Sequence, residues 1–268
     1  MKTRIISGLI MAPLLIVLYF KGIPLMVASF LIGAVGIYEL FEGFKKIDIH
    51  PNIFVAWGML ILLYVFGYPT LRKPEMFLAW IVLAVVCSGV SIFAIDKHKI
   101  EDALATLLGI VYVGFLSYHM VMISWTALGI LVWMVVIVAF GTDIAAYFTG
   151  YYLGKHKLCP NLSPKKTIEG AIGGLAGALV LGIIFGLIFK IPIFPHIILM
   201  SIIGSVMSQF GDLTASAFKR KMGIKDYGNL IPGHGGILDR FDSILFAAPA
   251  IYYYLVLVLS NTMDIVAK

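Results

Sequence analysis

The chain has 268 residues, of which 61% are hydrophobic and only 13% charged, and it carries a formal net charge of +6. A soluble domain of this length has no interior large enough for so much apolar surface, so soluble globular and disordered classes are excluded. Lipid offers the backbone no hydrogen bonds, and the apolar runs are about 17–25 residues long without alternation, which selects membrane-spanning helices over a barrel.

The runs fall at about 4–20, 24–43, 52–70, 75–95, 103–124, 127–153, 169–189, 193–218 and 238–260. They predict an all-α polytopic membrane protein of about nine transmembrane helices. The first run follows MKTR with no small-residue cleavage site after it, so a retained span is expected. With the N-terminus inside, 15 of the 20 lysines and arginines fall on the inner side and five on the outer. The N-terminus is therefore expected in the cytoplasm and the C-terminus on the far side. The basic excess is explained by topology and by attraction to anionic lipid, and no nucleic-acid partner is expected. Cys87 and Cys159 are too isolated to form a disulfide framework or a zinc site.

Residues 1–125 read as scaffold and lipid-facing helices. Glu39 and Glu42, followed by Lys45 and Lys46, read as an interfacial amphipathic helix end, and His119 as a packed intramembrane histidine. The chemistry is expected in residues 126–268, with two cytoplasmic loops at 154–168 and 219–237. Asp143 and Asp212 sit about 16 and 19 residues into their segments, which places both roughly 24–28 Å across the bilayer. Asp239 and Asp242 open the last segment at a similar level, three apart and so on one helical face. Intramembrane acids are costly and by default functional, and four from three helices can meet at one depth.

Carboxylate oxygens are the ligands that Mg²⁺ prefers, commonly together with substrate phosphates. Asp212, Asp239 and Asp242 are the candidate metal ligands. Lys219, Arg220, Lys221 and Lys225 add positive charge for phosphates, and Gly235 and Gly236, after His234, let backbone N–H groups approach an anion at a helix start. In the other loop, Ser163, Pro164, Lys165, Lys166 and Thr167 form a compact cationic turn. It is followed by Glu169 and by Gly170, Gly173, Gly174 and Gly177, a small face for close helix packing. Lys165 and Lys166 suit a triphosphate but equally satisfy positive-inside topology. The acids likewise admit a structural ion-pair network with Arg240 and Lys219, or a cation-coupled transporter.

The stretch Ser216–Asp242 resembles the phosphatidate cytidylyltransferase family. That family's pattern is met at Ser216, Phe218, Lys219, Arg220, Lys225, Asp226, Gly228, Ile231, Pro232, His234, Gly235, Gly236, Ile237, Asp239, Arg240, Phe241 and Asp242. Asp143, Tyr147, Gly150, Lys155, Pro160 and the Ser163–Gly170 stretch are similar to the family as well. The resemblance implies transfer of a cytidylyl group from CTP to phosphatidic acid, giving CDP-diacylglycerol and pyrophosphate. It implies a need for Mg²⁺, leaves a second cation open (divalent or monovalent), and implies a homodimer in a bacterial inner (plasma) membrane with its active site facing the cytoplasm. It assigns catalysis to Asp212, Asp239, Asp242, Lys219 and Arg220. Substrate contacts fall to Ser163, Lys165, Lys166, Thr167, Glu169, Lys225, Asp226, His234, Gly235, Gly236, Arg240 and Asp143. A CTP-dependent lipid-alcohol kinase would share these charges. The Asp-Gly helix pattern of CDP-alcohol phosphotransferases does not occur in this chain.

Overall fold

Helices carry most of the described residues in the computed structural model, which describes residues 16–70, 74–93, 98–191, 193–231, 233 and 235–259. Among the described residues, seven helices are long and apolar enough to cross a membrane: Gly22–Lys45, Glu75–Phe93, Ile100–Ser124, Gly129–Leu153, Ile168–Ile188, Phe194–Lys221 and Leu238–Leu259. A shorter apolar helix lies at Ile53–Gly67. The expected first span, 4–20, falls largely outside the described residues. We label the helices α1 (Gly22–Lys45), α2 (Ile53–Thr70), α3 (Pro74–Val90), α4 (Ile100–Ser124), α5 (Val132–Leu153), α6 (Ile168–Ile188), α7 (Phe194–Lys221) and α8 (Leu238–Tyr254). The all-helical expectation needs one amendment. The 154–168 loop contains a two-stranded antiparallel hairpin, β1 (Lys157–Cys159) and β2 (Ser163–Thr167).

The chain divides into two compact units, Met1–Met122 with Lys221–Arg240, and Ile123–Arg220 with Phe241–Lys268. The loop after α7 thus packs with the first unit.

In the first unit α1 is the centre, and Ile37, Leu40 and Phe41 are buried. Gly109 of α4 lies against the Phe41 ring, and the backbone widens to a π-helical stretch over Gly109–Phe115. Polar groups inside this bundle find one another, as a medium without water demands. The Ser29 and Tyr64 hydroxyls are 2.7 Å apart, and Trp80 Nε1 donates to the Met59 carbonyl at 2.9 Å. His119 is buried with Nδ1 3.0 Å from the Phe115 carbonyl, in keeping with a packing role. Asp102 ties the start of α4 to the residue before it and to the α1–α2 connection by accepting from the backbone N–H of Lys99 at 2.9 Å and of His50 at 2.6 Å.

In the second unit α5 and α6 run antiparallel in close contact. The glycine face predicted on α6 meets small residues of α5: Gly170 against Ala146, Gly173 against Thr149, Gly174 against Thr142 and Gly177 against Ala145. Interhelical hydrogen bonds add α7 to this pair. Thr142 Oγ1 donates to Ser205 Oγ at 2.8 Å, and Gln209 Nε2 to the Ala171 carbonyl at 3.2 Å. Large apolar side chains such as Ile144, Phe148, Leu187 and Ile188 point outward, as expected of a lipid-facing surface.

Candidate functional site

Close helix approach in the second unit gathers three carboxylates around one lysine. A Cβ on Gly211 would fall 2.6 Å from the Asp242 carbonyl oxygen, so α7 and α8 approach backbone to backbone at this level. Asp212 is the next residue on α7. From α5, Asp143 joins the same level: Ser243 Oγ donates to Asp143 Oδ2 at 3.3 Å, while Ser243 N–H donates to Asp242 Oδ1 at 2.8 Å. Lys166 of β2 forms an ion pair with Asp212. Burial pushes the Lys166 ammonium down from the usual lysine range, and the charges of Asp143 and Asp242 oppose that shift. Lys219, in the last turn of α7, repels the same ammonium.

The hairpin that delivers Lys166 is held by short-range bonds. Lys157 sits opposite Thr167, and Cys159 opposite Ser163. Thr167 Oγ1 accepts the Gly170 N–H at 3.0 Å and so caps α6, as an N-terminal threonine should. The Glu169 carboxylate accepts from Lys155 N–H at 3.1 Å and lies 2.6 Å from His156 Nδ1, fixing the turn out of α5. At the hairpin tip, Arg220 Nε donates to the Leu162 carbonyl at 3.4 Å. Strand alternation then leaves Lys165 exposed and turns Lys166 inward.

The first unit holds the other half of the predicted loop. Gly235 adopts φ +83°, a left-handed value that suits glycine, and its carbonyl accepts the Ile231 N–H at 2.9 Å. Asp239 is 7% exposed, and its Oδ2 accepts two backbone N–H groups, from Tyr227 at 2.8 Å and Gly236 at 3.0 Å. Lys225 and Asp226 are exposed. His234 lies outside the described residues. Arg240 is half-buried, and its Nε has no hydrogen-bond partner among the described residues. A buried donor of this kind calls for an explanation such as a ligand.

Glu39 departs from its predicted place at an interfacial helix end. It is 4% exposed, and its Oε1 and Oε2 accept the backbone N–H groups of Ile237 at 3.0 Å and Leu238 at 2.8 Å. Only Glu42 behaves as expected, pairing with Lys45 at 2.6 Å near the helix end. The amides at the start of α8, read from the sequence as a cradle for a substrate anion, are therefore already engaged by carboxylates of the chain itself.

The structure thus brings Asp143, Lys166, Asp212, Asp242 and Lys219 together within the second unit, and groups Asp239 with the 226–238 loop and Glu39 within the first. Asp239 and Asp242 are three apart on α8 and share one side of it. Among the described residues, no three His, Cys, Asp or Glu side chains are gathered tightly enough to form a ready-made metal cage. The donor chemistry nonetheless fits a hard divalent cation. The acids of the second unit offer carboxylate oxygens from three helices and already accommodate one positive charge, that of Lys166.

Residues 2–258 match the cytidylyltransferase family. The chain is 34% identical to a phosphatidate cytidylyltransferase of Bacillus subtilis, over 96% of this chain and 98% of the relative. It is 32% identical to the protein of the same name from Staphylococcus saprophyticus and 31% identical to that of Staphylococcus aureus, each over 96% of this chain and 99% of the relative.

Proposed function

The chain belongs to the cytidylyltransferase family, and from that premise we propose that it transfers the cytidylyl group of CTP to phosphatidic acid. A phosphate oxygen of the lipid attacks the α-phosphorus of CTP. The bond from that phosphorus to the bridging oxygen breaks, and pyrophosphate leaves as CDP-diacylglycerol forms. No protein nucleophile is required. The observation that carries this reading is the Lys166 ammonium set among Asp143, Asp212 and Asp242. Such a group can exchange charge partners when an anionic nucleotide and its cation arrive.

Asp212, Asp239 and Asp242 are the carboxylates that would hold Mg²⁺. When bound, the ion would neutralise charge building on the pyrophosphate. Lys166 is then free to turn from Asp212 to a phosphate oxygen. Lys165, Lys219 and Arg220 supply further positive charge from the hairpin and the end of α7, and Arg240 offers a donor at the start of α8. Ser163, Thr167 and Glu169 shape the hairpin; Lys225, Asp226, Gly235 and Gly236 shape the loop before α8; and His234 would donate a hydrogen bond to substrate. Asp143 orients Ser243 beside Asp242.

The lysine and arginine distribution supports a cytoplasmic N-terminus and a site on the cytoplasmic face of a bacterial plasma (inner) membrane, where CTP and the lipid headgroup meet. The assembly expected is a homodimer, which the mass of the protein in lipid nanodiscs would check. The direct experiment supplies CTP labelled at the α- or γ-phosphate, Mg²⁺ and phosphatidic acid to the purified protein. Label from the α-position should enter the lipid with release of pyrophosphate, and Asp242→Asn should abolish it. Entry of γ-label into a lipid would identify a kinase instead and overturn the proposal.

A further inference from the structure

We infer that Glu39 is a positioning residue that sets the aspartate-bearing end of α8, an inference that rests on the cytidylyl-transfer reading above. Three consecutive amides at the helix start are divided between two carboxylates. Gly236 N–H goes to Asp239 Oδ2 at 3.0 Å, Ile237 N–H to Glu39 Oε1 at 3.0 Å, and Leu238 N–H to Glu39 Oε2 at 2.8 Å. A carboxylate bridging two successive N–H groups fixes the orientation of both peptide planes. The plane preceding Ile237 is joined directly to the residue that holds Asp239. Glu39 therefore acts on Asp239 through one shared run of backbone, although α1 is nearly 200 residues away in sequence.

Charge alone would not produce this arrangement, because Glu39 and Asp239 repel each other. The amides between them hold the two acids in place, helped by the positive end of the α8 dipole. The loop is also shaped to the Glu39 carboxylate. A Cβ on Gly236 would fall 2.5 Å from both of its oxygens, and a Cβ on Gly228 would fall 2.7 Å from Oε1. A glutamine at this position keeps the volume but turns an NH₂ donor towards an N–H donor, so one of the two amides loses its acceptor.

The test uses the full-length protein in nanodiscs and the variants Glu39→Gln, Glu39→Asp and Gly228→Ala. The first readout is amide hydrogen exchange in substrate-free protein, resolved over residues 226–240. Glu39→Gln should exchange at least about tenfold faster at Gly236, Ile237 and Leu238, with α5 and α6 unchanged. The second is the Mg²⁺ concentration giving half-maximal turnover, which should rise about 10–100-fold, the range seen when a group orienting a metal ligand is lost. Glu39→Asp, which keeps the charge on a shorter arm, should recover part of it. Lost yield with an unchanged Mg²⁺ requirement in the folded fraction, or unchanged exchange at the three amides, overturns the inference. If Glu39→Gln does not fold, Gly228→Ala decides it, since it presses on the same carboxylate without removing it. Failure of the wild-type protein to form CDP-diacylglycerol would overturn the reading of function instead, and the exchange arm would still decide the placement of Glu39.

Discussion

Gly211→Ala tests whether the closeness of α7 and α8 at Asp212 and Asp242 matters. The new Cβ would lie 2.6 Å from the Asp242 carbonyl oxygen, where ordinary contact begins at 3.4 Å, so a gap of about 0.8 Å must open. The obstacle is backbone and cannot rotate aside. Phe246 blocks the neighbouring direction, with its Cδ2 at 3.1 Å and its Cβ at 3.3 Å. Two effects on stability oppose each other. Alanine gains about 1 kcal/mol over glycine in a helix interior, and overpacking costs about 1–3 kcal/mol. Net destabilisation should therefore be small, at most about 2 kcal/mol. Catalysis is more sensitive, since a misplacement of about 1 Å can cost on the order of 100-fold, or about 2.7 kcal/mol of barrier.

The expected outcome is a variant that folds, melts within several degrees of wild type and forms CDP-diacylglycerol at roughly 1–10% of the wild-type kcat/KM. Gly58→Ala is the control, because nothing lies within 4 Å of its would-be Cβ; it should be active and at least as stable. Full activity in Gly211→Ala would refute the claim that the α7–α8 approach sets the site.

Three further outcomes follow from the same geometry. Lys166→Met should lower kcat/KM by about 100–1,000-fold, the loss typical when one donor to a developing charge is removed, whereas Lys165→Met, on the exposed side of β2, should cost far less; steady-state rates at saturating lipid separate the two. Thr167→Ala should lose the α6 cap and about 1 kcal/mol of stability, with Thr167→Ser retaining it, as read by thermal melting in detergent. Asp48 is held below the usual carboxylate range first by its hydrogen bond to Lys99 and then by His50. Any stability it adds is complete above the ordinary aspartate value and lost as pH falls through the lower folded one, so Lys99→Met should lower the melting temperature slightly at pH 7, and the difference from wild type should vanish below about pH 4.

What was legible in the sequence follows what the membrane punishes. Apolar runs must be helices, so the helical architecture could be read directly, and the glycine spacing on α6 announced a close helix contact, which the structure makes with α5. The acids stood out for the same reason, because Asp143, Asp212 and Asp242 interrupt apolar helices. The hairpin at Lys157–Thr167 was not legible. Its strands are only three and five residues long, carry lysines and proline, and depend on partners such as Glu169 and Arg220 that no local pattern reveals. Glu39 was misjudged although the rule that found the aspartates applied to it equally. Lys45 and Lys46 downstream made it resemble a solvated helix end, and its partners, the amides of Ile237 and Leu238, lie across the sequence from it.

The two units deal with buried acid in different ways, and the difference bears on which carboxylates are free to react. In the first unit, Glu39 and Asp239 are satisfied by backbone amides of one loop, which cannot leave without unfolding that loop. In the second, Asp212 is satisfied by the tip of a lysine side chain, which needs only rotamer changes to depart. An entering cation therefore meets little structural resistance at Asp212 and much more at any oxygen already accepting an amide. The geometry that makes Asp239 rigid makes Asp212 exchangeable, so Lys166 is the group whose movement should accompany the arrival of a cation and its nucleotide.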